Sequence, residues 1–251
     1  MPGSGTRVFA SILRLAGGHI GAKLSQALDA SEFLGFANRW VDEYMESWAT
    51  GTPAPARVQM NEDLRAFVDG HAAPADREGL WGWKAPRSIC FMPLLYEELP
   101  AMRFVHVLRD GRDIAMKLRG SLPNLARNVN PRLSMGQSTL LDQATLEAPM
   151  SVGTIAVWAQ VNELAADHGE RQGEAYLRVR LEDLCEHPRD VARELLRFML
   201  DREPSAELIG AAAAAVERPP TLGRWRDADP EELERITAAG EPALERFGYT
   251  S

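Results

Sequence analysis

The chain has 251 residues, enough for one large domain or two small ones with a substantial hydrophobic core. Its 28 Lys and Arg against 36 Asp and Glu give a net charge of -8, which argues against a protein that coats nucleic acid or an anionic membrane. No apolar run approaches the ~20 residues of a membrane span. Two cysteines, far apart in sequence, exclude a disulfide framework and a thiolate zinc cluster, so a reducing cytoplasm fits best.

The N-terminal part of the chain is predicted to be mainly helical. Apolar residues at helical spacing predict helices over residues 6–16 and 31–48, the first closed by a Gly-Gly pair and the second rich in aromatic side chains. Residues 81–84 are a candidate strand. A helix is expected directly after it, over residues 87–99.

The clearest strand is residues 103–108, where β-branched and apolar residues run between a proline and an Asp-Gly pair. Asp110 stands where it can cap the helix that follows. Residues 120–151 contain scattered Pro, Asn, Gly and Ser and are too many for a plain connection in a compact domain. We therefore expect this segment to be a lid or an acceptor-binding loop.

Strands and helices alternate along the rest of the chain. A helix is predicted over residues 154–168, a strand over residues 175–180 and a helix over residues 188–199. Such alternation favours a parallel sheet, because crossover helices cover both of its faces. We therefore expect a three-layer α/β fold, with residues 1–251 forming one domain.

The first motif is Pro-Gly-Ser-Gly-Thr-Arg at residues 2–7, which opens the first predicted helix. Glycines allow close approach of the backbone to an anion, and the free N–H groups at a helix start bind phosphate. A flexible tail is the alternative for such a short match. The loop lacks the Gly-Lys-Ser/Thr ending of a Walker loop, and with it the lysine and hydroxyl that a nucleotide triphosphatase needs.

The second motif, Trp-Gly-Trp-Lys-Ala-Pro-Arg-Ser at residues 81–88, ends the candidate strand with Lys84. Ligands bind at the carboxyl ends of strands in open α/β sheets, so Lys84 is expected to face that crevice. The alternative is a solvated lysine beside two core tryptophans. Since only three of the 28 basic residues are lysines, a lysine at this position favours a function modestly.

The third motif is the strand, turn and helix start at residues 104–113. Arg109 leaves the carboxyl end of the strand, where its guanidinium can grip a phosphate. Arg112 and Asp113 lie in the first helical turn, and pairing of the two arginines with neighbouring carboxylates is the structural alternative. His106 lies within the strand and is expected to be a satisfied core histidine.

Taken in order, these motifs and two more resemble those of bacterial PAPS-dependent sulfotransferases, whose donor is 3′-phosphoadenosine-5′-phosphosulfate. The resemblance spans essentially the whole chain, and the order of five motifs is more specific than any one of them. They lie at residues 2–6, 83–88, 104–113, 179–184 and 223–226, with Pro188 after the fourth.

The resemblance implies a P-loop-like fold and an in-line sulfuryl transfer that needs no metal. The acceptor would be a hydroxyl or amine of a small molecule or carbohydrate, and the product adenosine 3′,5′-bisphosphate. Lys84 resembles the lysine that neutralises charge on the transferring group. The backbone of Ser4, Gly5, Thr6 and Arg7 would cradle the 5′-phosphosulfate, Arg109 and Lys117 would hold the 3′-phosphate, and Gly223, Arg224 and Trp225 would form a C-terminal donor-binding turn. Arg7, Lys84, Arg109, Lys117 and Arg224 are therefore expected to converge.

Four positions depart from the family pattern. Gly3 stands where the loop usually carries Lys or Arg, and Lys117 stands where Ser is usual. Pro86 occupies the position of the catalytic histidine of the well-known animal enzymes. Leu181 replaces a tyrosine that often precedes Glu-Asp-Leu. The general base must therefore come from elsewhere.

Asp29 and Glu32 are the candidates for that base, because family members without the histidine use a carboxylate after the first helix. A buried carboxylate hydrogen-bonded to an acceptor hydroxyl suits this role. The alternative is that Asp29 or Ser31 only caps the second helix and Glu32 faces solvent. His19 is a third candidate.

In the family, an apolar strand of ~6 residues precedes the first loop inside the sheet. Here the sequence opens at the loop, so we expect a truncated or mis-started reading frame. An in-frame apolar segment directly upstream of Met1 in the gene would support this, and a stop codon there would contradict it. Two other functions stay open: a protein of the same fold that binds the nucleotide without turnover, and a small-molecule kinase.

Overall fold

The computed structural model describes residues 3–72, 79–117 and 148–249, and over these residues the protein is mostly helical with two β-strands. The strands are β1 (Phe104–Leu108) and β2 (Tyr176–Arg180). Short 3-10 helices cover Pro86–Phe91, Gly173–Ala175 and Arg224–Asp227. The α-helices are α1 (Arg7–Leu15), α2 (Ser31–Thr50), α3 (Arg57–Ala72), α4 (Met92–Glu98), α5 (Gly111–Lys117), α6 (Met150–Glu170), α7 (Leu181–Glu186), α8 (Pro188–Leu200), α9 (Ala206–Ala214) and α10 (Pro230–Arg246).

The predicted helices that match α1, α2, α6 and α8 are confirmed to within a few residues. The single helix predicted over residues 87–99 is wrong: a 3-10 helix is followed by α4. Pro93 lies in the first turn of α4, where its missing N–H breaks no hydrogen bond, whereas inside a longer α-helix it would. Helix α3 was not predicted, although Met60, Leu64 and Phe67 recur at helical spacing and are buried.

The two strands pair in parallel, with Phe104 opposite Tyr176 and Leu108 opposite Arg180. This confirms an α/β protein with parallel strands, but the sheet among the described residues is smaller than predicted. Residues 81–84 make one parallel bridge, from Trp81 to His19, and form no strand. The reason is spatial, because a cavity of about 610 Å³ is lined by both β1 and residues 81–84.

Both faces of the sheet are covered by helices. Phe104 and Leu108 pack into a core formed largely by α2, α4, α6 and α10. Val105 and Val107 point to the opposite face and pack against α1, α7 and α8. The alternation of side chains along β1 therefore divides the interior into two apolar clusters, one on each face.

His106 is confirmed as a core histidine. Its ring is 1% exposed and lies between the Tyr176 hydroxyl, 2.6 Å from Nδ1, and the Asn162 side-chain oxygen, 2.9 Å from Nε2. Burial lowers the pKa of His106 to about 3, so the ring is neutral at ordinary pH.

Two further expectations concern the middle of the chain and membranes. The lid predicted over residues 120–151 lies outside the described residues apart from its last four, and α6 has already begun at Met150. In the three described stretches, no helix is long and apolar enough to cross a membrane.

Candidate active site

The N-terminal loop has a backbone that only glycine adopts readily. Gly3 and Gly5 have φ angles of +92° and +76°, in the left-handed region. A Cβ on Gly5 would lie 2.6 Å from a methyl carbon of Leu181, so the loop and the residue after β2 are in close contact. Ser4 is buried and Thr6 forms the start of α1. The backbone of this loop therefore leads directly into the N-terminus of α1, a helix of nine residues.

Arg109 follows β1 and is 3% exposed. Its Nη2 lies 2.9 Å from Asp113 Oδ2, and its Nη1 donates to the Gly3 carbonyl at 3.2 Å. It also donates to the carbonyl and hydroxyl oxygens of Thr221. The Trp158 indole N–H holds the Arg109 carbonyl at 3.1 Å. The guanidinium therefore bridges the N-terminal loop, helix α5 and the segment before the C-terminal turn.

Asp113 holds the C-terminal turn from the other side. Its carboxylate is fully buried and accepts the N–H of Gly223 at 2.7 Å and the N–H of Trp225 at 3.2 Å. Gly223 has a φ of +83° and precedes the 3-10 helix Arg224–Asp227. Asp113 thus serves as an anionic cap for this turn. The alternative in which Arg109 pairs with a neighbouring carboxylate is confirmed.

Lys84 is paired with one of the two predicted carboxylates. Its Nζ lies 2.5 Å from Asp29 Oδ1, and the two side chains are only 11% and 17% exposed. The Lys84 carbonyl accepts the N–H of Ala30 at 2.9 Å, which fixes the backbones of the two segments together. The alternative of a solvated lysine is therefore wrong.

Glu32 lies elsewhere, on the exposed side of the first turn of α2. Its nearest basic partner is Lys23, with 3.9 Å between charged atoms, and both side chains are well exposed. The N-cap of α2 is Ala30, which has no capping side chain, so the alternative in which Asp29 or Ser31 caps this helix is wrong, whereas its other part, that Glu32 faces solvent, is confirmed.

His19, the third candidate base, belongs to an aromatic cluster. Its ring centroid lies 5.5 Å from that of His71, and its backbone pairs with Leu80 and Gly82. Desolvation lowers the pKa of His71, whose Nε2 is 2.9 Å from the Gly82 carbonyl. These contacts place His19 within the cluster, its Nε2 is buried without a hydrogen-bond partner among the described residues, and its role as a base stays a prediction.

The predicted donor residues come together in part. Thr6 and Lys84 line the same cavity of about 610 Å³. Arg7 begins α1 with an exposed side chain, and Arg224 Nε donates to the Thr221 carbonyl at 3.3 Å, next to the Arg109 contacts. Lys117 ends α5, and its side chain lies outside the described part of the structure.

A second polar network lies behind the site; its pair of Arg112 with a neighbouring carboxylate confirms the stated alternative, whereas the contacts of Glu182 and Tyr249 were not predicted. Glu182 accepts the N–H of Asp110 at 3.0 Å and the hydroxyl of Tyr249 at 3.0 Å, and burial raises the pKa of its carboxyl. Arg112 pairs with Asp110, donates to the Tyr249 carbonyl and stacks over the Trp225 ring, with its Cζ 3.7 Å from the ring centroid. The Glu in the Leu-Glu-Asp-Leu motif was the available signal.

Comparison of the sequence with known proteins finds a family match. The profile of the Sulfotransferase family matches residues 1–201, which include the N-terminal loop, Lys84, Arg109 and β2. No curated protein matches the chain.

Proposed function

The chain belongs to the sulfotransferase family, and from that premise we propose that it transfers the sulfuryl group of PAPS to an acceptor hydroxyl or amine. A small molecule or a carbohydrate would carry the acceptor group. The observation that carries the proposal is the nearly buried pair of Lys84 and Asp29, which are held 2.5 Å apart. Lys84 lines the same cavity as Thr6, at the start of α1.

The 5′-phosphosulfate binds the backbone of Ser4, Gly5, Thr6 and Arg7. Support comes from the two left-handed glycines of this loop, Gly3 and Gly5, and from the positive end of the α1 dipole. A side chain on Gly5 would collide with Leu181, so packing against the residue after β2, as well as the φ of +76°, keeps this loop position a glycine.

The 3′-phosphate binds Arg109. Because this guanidinium already bonds Asp113, Gly3 and Thr221, phosphate binding exchanges the Thr221 contacts for phosphate oxygens while the Asp113 pair persists. Charge-assisted bonds from a guanidinium to phosphate are stronger than those to a neutral carbonyl, which favours the exchange. The remaining donor-binding residues in this proposal are Lys117, Gly223, Arg224 and Trp225.

Transfer is a single in-line displacement. The acceptor oxygen or nitrogen forms a bond to sulfur while the bond from sulfur to the bridging oxygen breaks, and the electron pair stays on that oxygen. The Lys84 ammonium stabilises the developing charge there, and Asp29 accepts the acceptor proton. The products are the sulfated acceptor and adenosine 3′,5′-bisphosphate.

Two measurements on the full chain test this function. Calorimetric titration with adenosine 3′,5′-bisphosphate should show binding. Incubation with PAPS carrying radioactive sulfate should then label at least one member of a panel of sugars, phenols, lipids and amines. Absence of bisphosphate binding would contradict the proposal.

The same measurements, repeated with ATP and with ATP carrying a radioactive γ-phosphate, separate the other candidate functions. Tight bisphosphate binding without transfer to any acceptor would indicate a binding protein of the same fold. A preference for ATP, with transfer of its γ-phosphate, would indicate a small-molecule kinase.

A further inference from the structure

The Ser25 hydroxyl makes three hydrogen bonds within one turn. Its Oγ accepts the N–H of Ala27 at 3.2 Å and the N–H of Asp29 at 3.0 Å, and its own proton is donated to Asp29 Oδ2 at 3.0 Å. A hydroxyl has two acceptor sites and one proton. Since the two backbone N–H groups occupy both acceptor sites, the proton is directed to the carboxylate.

The backbone of this turn is also held in place. The Ser25 N–H bonds the Asp29 carbonyl, and the Leu28 N–H bonds the Ser25 carbonyl, both at 2.9 Å. Leu28 has a φ of +63°, a left-handed conformation that is strained for a residue with a Cβ. Such strain persists where surrounding contacts enforce one geometry, and it is concentrated at functional sites.

The two oxygens of Asp29 have different partners. Oδ2 accepts the hydrogen bond from the Ser25 hydroxyl, and Oδ1 lies 2.5 Å from Lys84 Nζ. We propose that Ser25 is a positioning residue, which orients the Asp29 carboxylate so that Oδ1 faces Lys84. The inference deepens the proposed function and rests on it for the role of this pair in transfer.

The first test needs no activity. The chain has three lysines, Lys23, Lys84 and Lys117, which limited acetylation and mass spectrometry can resolve. The ratio of Lys84 to Lys23 labelling should rise several-fold in Ser25→Ala and in Asp29→Asn, because a released ammonium is more accessible. Ser25→Thr keeps the hydroxyl and should resemble the wild type. An unchanged ratio in Ser25→Ala would overturn the proposal, whether or not Asp29→Asn changes it.

The second test is kinetic. Ser25→Ala should lower kcat for sulfuryl transfer about 10- to 100-fold, as expected for a misplaced reacting group, with KM for PAPS and bisphosphate affinity unchanged. Ser25→Thr should restore kcat. The matched control is Ser205→Ala, which removes a hydroxyl that accepts the Leu208 N–H at the start of α9, and it should leave kcat unchanged.

The two failures are distinguishable. A wild-type protein that transfers no sulfuryl group would contradict the proposed function, while the labelling ratio would still decide whether Ser25 orients Asp29. An active wild type with an equally active Ser25→Ala variant would overturn the role of Ser25 alone.

Discussion

Arg109 and Asp113 form an ion pair that is almost completely removed from water, with 2.9 Å between Nη2 and Oδ2 and side chains 3% and 0% exposed. Through Arg109 the pair holds the Gly3 carbonyl, and through Asp113 it holds the N–H groups of Gly223 and Trp225. One buried pair therefore joins the two ends of the proposed donor site.

We expect Asp113→Asn to destabilise the protein by about 3–5 kcal/mol, the range for removing one partner of a buried ion pair. The amide fills the same volume but leaves the Arg109 charge uncompensated. Urea unfolding followed by circular dichroism measures the loss. The control is Glu203→Gln, which removes the exposed pair with Arg193 and should cost under about 1 kcal/mol. Equal losses in the two variants would contradict the importance of burial.

A second prediction concerns the 3′-phosphate. Arg109→Ala should weaken binding of adenosine 3′,5′-bisphosphate roughly 10- to 100-fold, as loss of a charged hydrogen bond implies. Affinity for adenosine 5′-phosphate, which lacks the 3′-phosphate, should change much less. Calorimetry on both ligands, below the melting temperature of the variant, makes the comparison. A proportional loss for the two nucleotides would indicate a general disruption of the site and contradict the assignment.

Local sequence patterns were sufficient where an element is determined by its own residues. The β-branched run of β1 and its turn were predicted, and Asp110 caps the next helix by accepting the Arg112 N–H at 2.9 Å, as expected. Lys84 and Arg109 were also identified as candidates, since each follows an apolar run and carries a charge that the chemistry needs.

What sequence could not supply depends on contacts between distant segments. The Thr221 oxygens that bind Arg109 and the Tyr249 hydroxyl that bonds Glu182 have no local signal. Residues 81–84 have the composition of a strand, yet a strand exists only where a neighbour supplies hydrogen bonds, and these residues border a cavity instead. That Lys84 pairs with Asp29 and not with Glu32 likewise required the fold.

The third prediction tests the lysine of the transfer step. Lys84→Met keeps the length of the side chain and removes its charge, so kcat should fall about 10²–10³-fold, as when one stabilising donor is lost. Bisphosphate affinity should fall much less than kcat, because the oxygen that faces Lys84 carries only a share of the delocalised charge of the 5′-phosphate in the product, whereas charge develops on it during transfer. The control is Lys23→Met. The native Lys23 side chain is 79% exposed and pairs loosely with Glu32, so its replacement should leave kcat unchanged. A loss of bisphosphate affinity as large as the loss of kcat in Lys84→Met would show that the lysine binds the nucleotide before transfer and does not act specifically on the transition state.

His106 makes stability depend on pH. Its pKa is about 3 in the folded protein against an ordinary value of 6.5, so the unfolded chain binds one more proton between these values. The stabilisation is complete above about pH 6.5 and is lost as pH falls, with a slope of up to about 1.4 kcal/mol per pH unit.

His106→Gln retains polar atoms near Tyr176 and Asn162 but cannot titrate. Its free energy of unfolding should therefore decline less steeply than that of the wild type between about pH 6.5 and about pH 5, measured by urea unfolding at each pH. Because His71 and His168, whose pKa values are also lowered, are present in both proteins, the difference between the two slopes reports on His106. Parallel curves would mean that His106 takes up its proton without leaving the folded state.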